Sequence, residues 1–159
     1  DKMNKSKIKT YGISLLIALI TGGVSALLTN MGMESYKAAQ KPALTPPDIV
    51  FPIVWTVLFV LMAISAARIY LSPVSRQRSR GLLLYALQLI FNFFWSVLFF
   101  NFQAYAFSFI WIIVLWTLIL LMIISFAQTD KPAALLQIPY LLWVTFAAYL
   151  NYMVWLLNK

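Results

Sequence analysis

Lys41-Pro42-Ala43-Leu44-Thr45-Pro46-Pro47-Asp48, running directly into Ile49-Val50-Phe51-Pro52-Ile53-Val54-Trp55, is the one sizeable polar, proline-dense break in a sequence that is apolar almost end to end. Pro42, Pro46 and Pro47 fix φ and remove backbone donors, so the stretch reads as a stiff, extended lid that cannot be helical. Pro46 and Pro47 stand where a new helix begins, a place at which a missing N–H costs nothing. Asp48 is a candidate cap for that helix, and Trp55 falls on the same face two turns deeper. The lid is thereby expected to sit above an indole that points into whatever lies beneath.

Outward from this break, composition sets the class. Hydrophobic residues make up 63% of the chain and charged residues 10%, and the mean hydropathy is +0.87. Soluble domains carry roughly a quarter charged residues, so this is an integral membrane protein in contact with the lipid bilayer. At about 20 apolar residues per crossing, 159 residues hold five spans and little else. The fold class expected is all-α, a five-transmembrane-helix bundle forming a single membrane domain, residues 1–159.

The spans read as 11–28, 49–71, 81–100, 106–127 and 132–157, with the lid at 31–47. The first follows Lys2, Lys5, Lys7 and Lys9, but its length and the absence of a small-residue cleavage pattern after Leu28 distinguish it from a signal peptide. Ser14, Ala18, Gly22 and Ala26 recur along it every fourth residue, a smooth stripe suited to close helix packing. In the second span Arg68 lies near the end, where it is expected to snorkel toward headgroups. The third carries Gln88, Asn92 and Ser96 on one face beside Trp95; amides are costly in hydrocarbon, so this stripe faces the bundle interior, either as interhelical glue or as a ligand-facing strip. Trp111 and Trp116 in the fourth read as packing or interface residues. In the fifth, Pro139 predicts a kink that frees the Leu135 carbonyl. Tyr140, Trp143, Ala147 and Asn151 then share a face suited to a flat aromatic ligand, though aromatic helix packing also explains it.

Charge sets orientation and excludes functions. The net charge of +8 is carried by clusters flanking apolar runs, with no basic face for a duplex, so no nucleic-acid partner is expected. Lys2, Lys5, Lys7, Lys9, Arg76, Arg78, Arg80 and Lys131 fall on one side of a five-span topology, and only Lys37, Lys41 and Lys159 on the other. In a bacterial cell membrane that places the amino terminus in the cytoplasm and the lid loop outside. Cysteine and histidine are both absent, which removes thiol chemistry, zinc sites and His or Cys ligation of haem iron; no metal site is expected. Asp1, Glu34, Asp48 and Asp130 all lie at ends or turns, which weighs against an ion-coupled carrier. It also leaves hydrolytic chemistry without a buried base.

Three motifs in chain order carry a resemblance. Lys41-Pro42-x-x-Thr45-Pro46-Pro47 with Phe51 and Trp55, Asn92-x-x-Trp95-Ser96-x-Leu98-Phe99-Phe100, and Pro139-Tyr140-x-x-Trp143-x-x-Phe146-Ala147-x-x-Leu150-Asn151 together resemble the translocator protein family, also called tryptophan-rich sensory proteins or peripheral-type benzodiazepine receptors. The resemblance implies a five-helix bundle, commonly a homodimer. It further implies binding of porphyrins and, as in some family members, of sterols and isoquinoline carboxamide drugs, in a pocket closed by the first loop. Carried onto this chain, it implies that Tyr36, Pro46, Trp55, Asn92, Trp143 and Ala147 line or cover the pocket, to which the helical faces add Ser96 and Tyr140. It also implies light-dependent porphyrin breakdown in which Trp55 and Trp143 are the candidate catalytic residues. No cofactor is required; a porphyrin would be ligand or substrate. Receptor or sensor, carrier, and porphyrin-degrading enzyme remain the three readings.

The chain departs from the family pattern in its lid, where Ser35 and Leu44 stand at positions usually held by tryptophan. At the carboxyl end Leu150-Asn151-Tyr152 begins like a sterol-recognition motif. Leu156 stands where a basic residue is wanted, and Lys159 lies beyond the reach of about five intervening residues, so sterol recognition by this route is not expected.

Overall fold

A computed structural model describes residues 2–30 and 32–159; Asp1, Met31 and the side chains of Lys2 and Met3 lie outside the described residues. The elements are α1 (Lys2–Asn30), α2 (Met33–Ala38), α3 (Val50–Tyr70), α4 (Arg76–Ser96) continued by a π-helical turn (Val97–Asn101), α5 (Tyr105–Ala127), α6 (Lys131–Leu136) and α7 (Ile138–Leu157). Five helical stretches are long and apolar enough to cross a bilayer: Asn4–Asn30, Val50–Tyr70, Arg76–Asn101, Tyr105–Ala127 and Lys131–Leu157. No strand occurs among the described residues.

Helix is the conformation that lets a chain cross hydrocarbon with every backbone group paired. Hydroxyls follow the same rule: Thr10, Thr21, Thr56, Thr117 and Thr145 each return a hydrogen bond to the carbonyl four residues back. Large apolar side chains such as Leu16, Ile20, Ile53, Ile110, Ile124 and Leu142 stay on the outside, as lipid contact requires. The interior is filled by Met62, Ile69, Ile112, Ile119, Met122, Phe126 and Val144.

The helices form a ring in the order α1, α3, α6–α7, α5, α4, closed by α4 against α1. The small-residue stripe of α1 makes the α1–α3 seam. Ala18 is fully buried, Ser14 Oγ donates to the Ala63 carbonyl at 2.7 Å, and a Cβ on Gly22 would meet the Phe59 ring at 2.7 Å.

At the end holding the α3–α4 and α5–α6 turns, Ser75 caps α4 by accepting from Arg78 N at 3.0 Å. Asp130 caps α6 from Ala133 N at 3.3 Å. Arg68 does not snorkel: its Nε and Nη2 donate to the two Asp130 oxygens at 2.7 and 3.3 Å, tying α3 to the α5–α6 turn. A carboxylate within reach is a better partner for a guanidinium than a headgroup outside the bundle.

Several boundaries differ from the sequence reading. Helix α1 extends back to Lys2 and α4 to Arg76, because polar residues continue a helix beyond the apolar core once it has started. The loop 31–47 contains α2, a short helix ahead of the prolines. Asp48 does not cap α3; its carboxylate lies 4.0 Å from Lys37 Nζ instead. The start of α3 is satisfied through the backbone, where Val50 N donates to Pro47 O at 3.0 Å. At Pro139 the chain breaks rather than kinks: α6 ends at Leu136, Gln137 N donates to Ala134 O at 3.1 Å, and Pro139 sits in the first turn of α7, where it lacks no bond.

Candidate functional site

At the lid end the bundle holds a cavity of about 260 Å³, walled by α1, α3, α4 with its π turn and α7, and roofed by α2. Its lining includes Gly22, Ser25 and Thr29 from α1, Met33 and Tyr36 from α2, and Phe51, Trp55 and Phe59 from α3. Asn92, Trp95, Ser96, Phe99 and Phe100 come from α4 and its continuation, and Trp143, Ala147 and Leu150 from α7. Among the described residues, no charged side chain lines it.

The walls are aromatic and pack edge to face, the arrangement that ring quadrupoles favour. Trp55 and Trp143 meet at 6.4 Å between ring centroids and 85°. Phe51 stands 6.0 Å from Trp143 on one side and 6.1 Å from Tyr36 on the other. Trp95 stacks on Phe99 at 5.3 Å and donates its indole N–H to Asn151 Oδ1 at 2.9 Å, while Asn151 Nδ2 reaches the Tyr105 carbonyl at 2.8 Å. Trp143 Nε1 is buried with no partner among the described residues, so it is a donor left open.

The polar stripe of α4 divides by depth. Ser96 faces the cavity, Asn92 stands at its floor, and Gln88 lies beneath. Tyr140 crosses the bundle axis to meet the lower two: its hydroxyl accepts from Asn92 Nδ2 at 2.7 Å and donates to Gln88 Oε1 at 2.6 Å. Tyr140 is therefore a support under the floor, and Trp55 stacks edge-on above it at 6.2 Å.

Of the residues singled out from sequence, Tyr36, Trp55, Asn92, Ser96, Trp143 and Ala147 come together on the cavity wall. Pro46 and Tyr140 do not line it. Pro46 is half-buried within the lid, and Tyr140 is fully buried below. Gly22, Ser25 and Thr29 join the wall without a signal in the sequence, because the small-residue stripe of α1 has the spacing of helix packing and becomes cavity wall only toward the lid. Phe99 and Phe100 reach the site through the π turn, in which Phe102 N donates five residues back to Val97 O at 3.1 Å. Such turns insert a residue and rotate the side chains that follow.

The lid closes the roof. Tyr36 is buried, with Phe100 at 5.2 Å and Phe99 at 5.8 Å between centroids. Lys41 Nζ sits 4.6 Å from its ring and donates to the carbonyls of Tyr36 and Lys37 at 3.0 and 3.2 Å. Burial first, then the negative charge of Asp48 and the neighbouring Tyr105, pushes the Tyr36 phenol up to about 12.

Residues 13–156 match the family model described as TspO/MBR. The chain belongs to the TspO/MBR family. Relatives in that family include the tryptophan-rich protein TspO of Chlorobaculum tepidum, 37% identical over 98% of this chain and 99% of its own length. The tryptophan-rich sensory protein of Cereibacter sphaeroides is 37% identical, over 79% of this chain and 77% of its own. The translocator protein of Ovis aries is 32% identical, over 80% of this chain and 77% of its own. Membership in the TspO/MBR family and the five apolar crossings together make this chain an integral membrane protein.

Proposed function

We propose that this chain is a membrane receptor for porphyrins of the protoporphyrin type, which stack among Trp55, Trp143 and the phenylalanines beneath the lid. The observation that carries the reading is an uncharged aromatic cavity, floored by Asn92 and roofed by a segment of the chain itself. Flat π systems gain from edge and face contacts with such walls, and the open indole N–H of Trp143 is a donor to an acceptor on the ligand. Isoquinoline carboxamides, smaller and equally flat, suit the same site. A coupled carrier is less well supported: Glu34 and Asp48 are exposed on the lid and Asp130 is engaged by Arg68.

One arrangement supports a second reading. Two indoles meet edge-on at the cavity wall, where an excited porphyrin would have an electron donor at hand and molecular oxygen as the oxidant, so light- and oxygen-dependent breakdown of the ligand is the chemistry this wall supports without an acid or base.

Orientation belongs to the proposal as well: the amino terminus and the basic start of α4, with Arg76, Arg78 and Arg80, in the cytoplasm, the lid outside. The deciding experiment titrates protoporphyrin against the purified protein and follows quenching of tryptophan fluorescence. Trp143→Ala is expected to weaken binding about fivefold, the worth of one aromatic contact. Unchanged curves in both Trp55→Ala and Trp143→Ala overturn the pocket.

A further inference from the structure

Asn158 follows the last turn of α7, 118 positions along the chain from Gln40 in the lid, yet the two are joined by a closed pair of hydrogen bonds. Gln40 N donates to Asn158 Oδ1 at 3.0 Å, and Asn158 Nδ2 donates to Gln40 O at 2.8 Å. The side-chain amide thus imitates a backbone and pairs with Gln40 as a strand would. Asn158 is held for this by its own helix, with Nδ2 also donating to the Val154 carbonyl at 2.7 Å. Gln40 is ready for it because Ala39 turns extended after α2, at φ −70° and ψ 152°, which leaves the next residue's N–H and C=O without helical partners.

Among the described residues these are the side-chain hydrogen bonds that join the lid to a spanning helix; those of Lys41 stay within the lid. The Lys37 to Asp48 pair, at 4.0 Å and largely exposed, also lies within it and contributes little. With the bonds made, the cavity beneath measures about 260 Å³, just under the roughly 300–1,000 Å³ range of ligand pockets. A bicyclic ligand fits that space. A tetrapyrrole, with four rings and their bridges, needs the roof raised.

We propose that Asn158 is a specificity-determining latch: by pairing with Gln40 it holds the lid shut, favouring compact aromatic ligands and imposing a penalty on macrocycles. The inference rests on the receptor reading given above. Its energetics are those of a two-state lid. A macrocycle binds only the raised form, so its apparent affinity is reduced by the fraction of molecules in which the latch is broken. A compact ligand binds the latched form, which dominates already and therefore changes little when the latch is weakened.

The test uses Asn158→Ala and Asn158→Asp in the full chain. The second keeps the shape but points a carboxylate oxygen at the Gln40 carbonyl. Two exposed hydrogen bonds of ordinary strength predict that protoporphyrin binds about three- to tenfold more tightly to both variants. An isoquinoline carboxamide should stay within about twofold of wild type. In the empty protein, hydrogen exchange at lid amides 39–45 should quicken by the same factor as porphyrin binding gains, a readout that needs no ligand. Unchanged exchange together with unchanged porphyrin affinity overturns the latch. Faster exchange with equal effects on both ligands overturns size selection. If wild type binds neither ligand, the receptor reading fails and size selection with it, while exchange still reports whether the latch exists.

Discussion

Tyr140 reaches across the bundle to Asn92, accepting its amide N–H at 2.7 Å while giving its own proton to Gln88 at 2.6 Å. One phenol thus satisfies two amides on α4 in a fully buried position, and fixes which way Asn92 presents itself at the cavity floor. Tyr140→Phe removes the hydroxyl but not the ring, leaving both amides short of a partner. A buried polar group so orphaned costs about 1–3 kcal/mol. The expected result is a lower thermal midpoint in detergent and weaker ligand binding, with tryptophan packing retained. An unchanged midpoint would show that the floor does not depend on this bond.

Gly32 sets how closely the lid approaches the π turn. A Cβ there would overlap the Phe100 carbonyl and come within 2.8 Å of Asn101 Oδ1. Backbone cannot yield as a side-chain tip can, so Gly32→Ala should displace α2 and disturb the Tyr36 to Phe100 contact, at a cost of about 1–3 kcal/mol. Trypsin cleavage after Lys37 is the measurement, and it should quicken in the variant. Gly23, with nothing within 4 Å of an added Cβ, is the control; Gly23→Ala should be silent.

Much of this was legible in the sequence, for physical reasons. Spanning helices announce themselves because a bilayer demands long apolar runs, and Gln88, Asn92 and Ser96 fall on one face by helical spacing alone. Depth was not legible: spacing put Tyr140 on the face of Trp143 but not below the floor. Pro46 is placed by the path of the lid, which no local rule fixes. Helix α2 leaves no pattern in the sequence because six residues are too few to show a period, and a helix that short is held by tertiary contacts rather than propensity. The Asn158 to Gln40 pair joins residues too distant in sequence for any pattern to connect.

The lid should open at high pH through Tyr36. Its phenol is raised from the ordinary value of 10 to about 12 by burial, then by Asp48 and Tyr105. Below pH about 10 it is neutral whether the lid is shut or open, and closure keeps its full stability. Between about 10 and 12 the exposed phenol ionises and the buried one does not, so closure is lost progressively as pH rises. Absorbance at about 295 nm reports ionisation of the exposed phenol, and cavity tryptophan fluorescence reports opening. Tyr36→Phe should remove the pH dependence attributable to this group; a slope identical in the variant would assign it elsewhere.

Orientation is open to a direct test because the chain contains no cysteine. A single cysteine replacing Ala43 in the lid, and another replacing Ser79 in the basic first turn of α4, give one label site on each side. In intact bacterial cells a membrane-impermeant maleimide should modify Ala43→Cys and spare Ser79→Cys until the membrane is broken. The opposite pattern would reverse the topology, and labelling of both in intact cells would indicate a mixture.

Light separates a receptor from a degrading enzyme. Trp143 stands on the cavity wall against Trp55 and Phe51, where a stacked porphyrin would touch it. An excited porphyrin takes an electron from a neighbouring indole or passes its energy to oxygen, and neither step asks for a base or an acid. Trp143→Phe keeps a ring to stack on, so binding should fall by no more than about threefold, while loss of the Soret band under illumination should slow much more. The complex is illuminated with and without oxygen, beside free porphyrin in the same detergent, and the products are identified. Equal bleaching in wild type, Trp143→Phe and protein-free samples would leave the chain a receptor. Breakdown in darkness would require a reactive group that is neither carboxylate, lysine nor arginine on the cavity wall, because the described residues lining it include none of these.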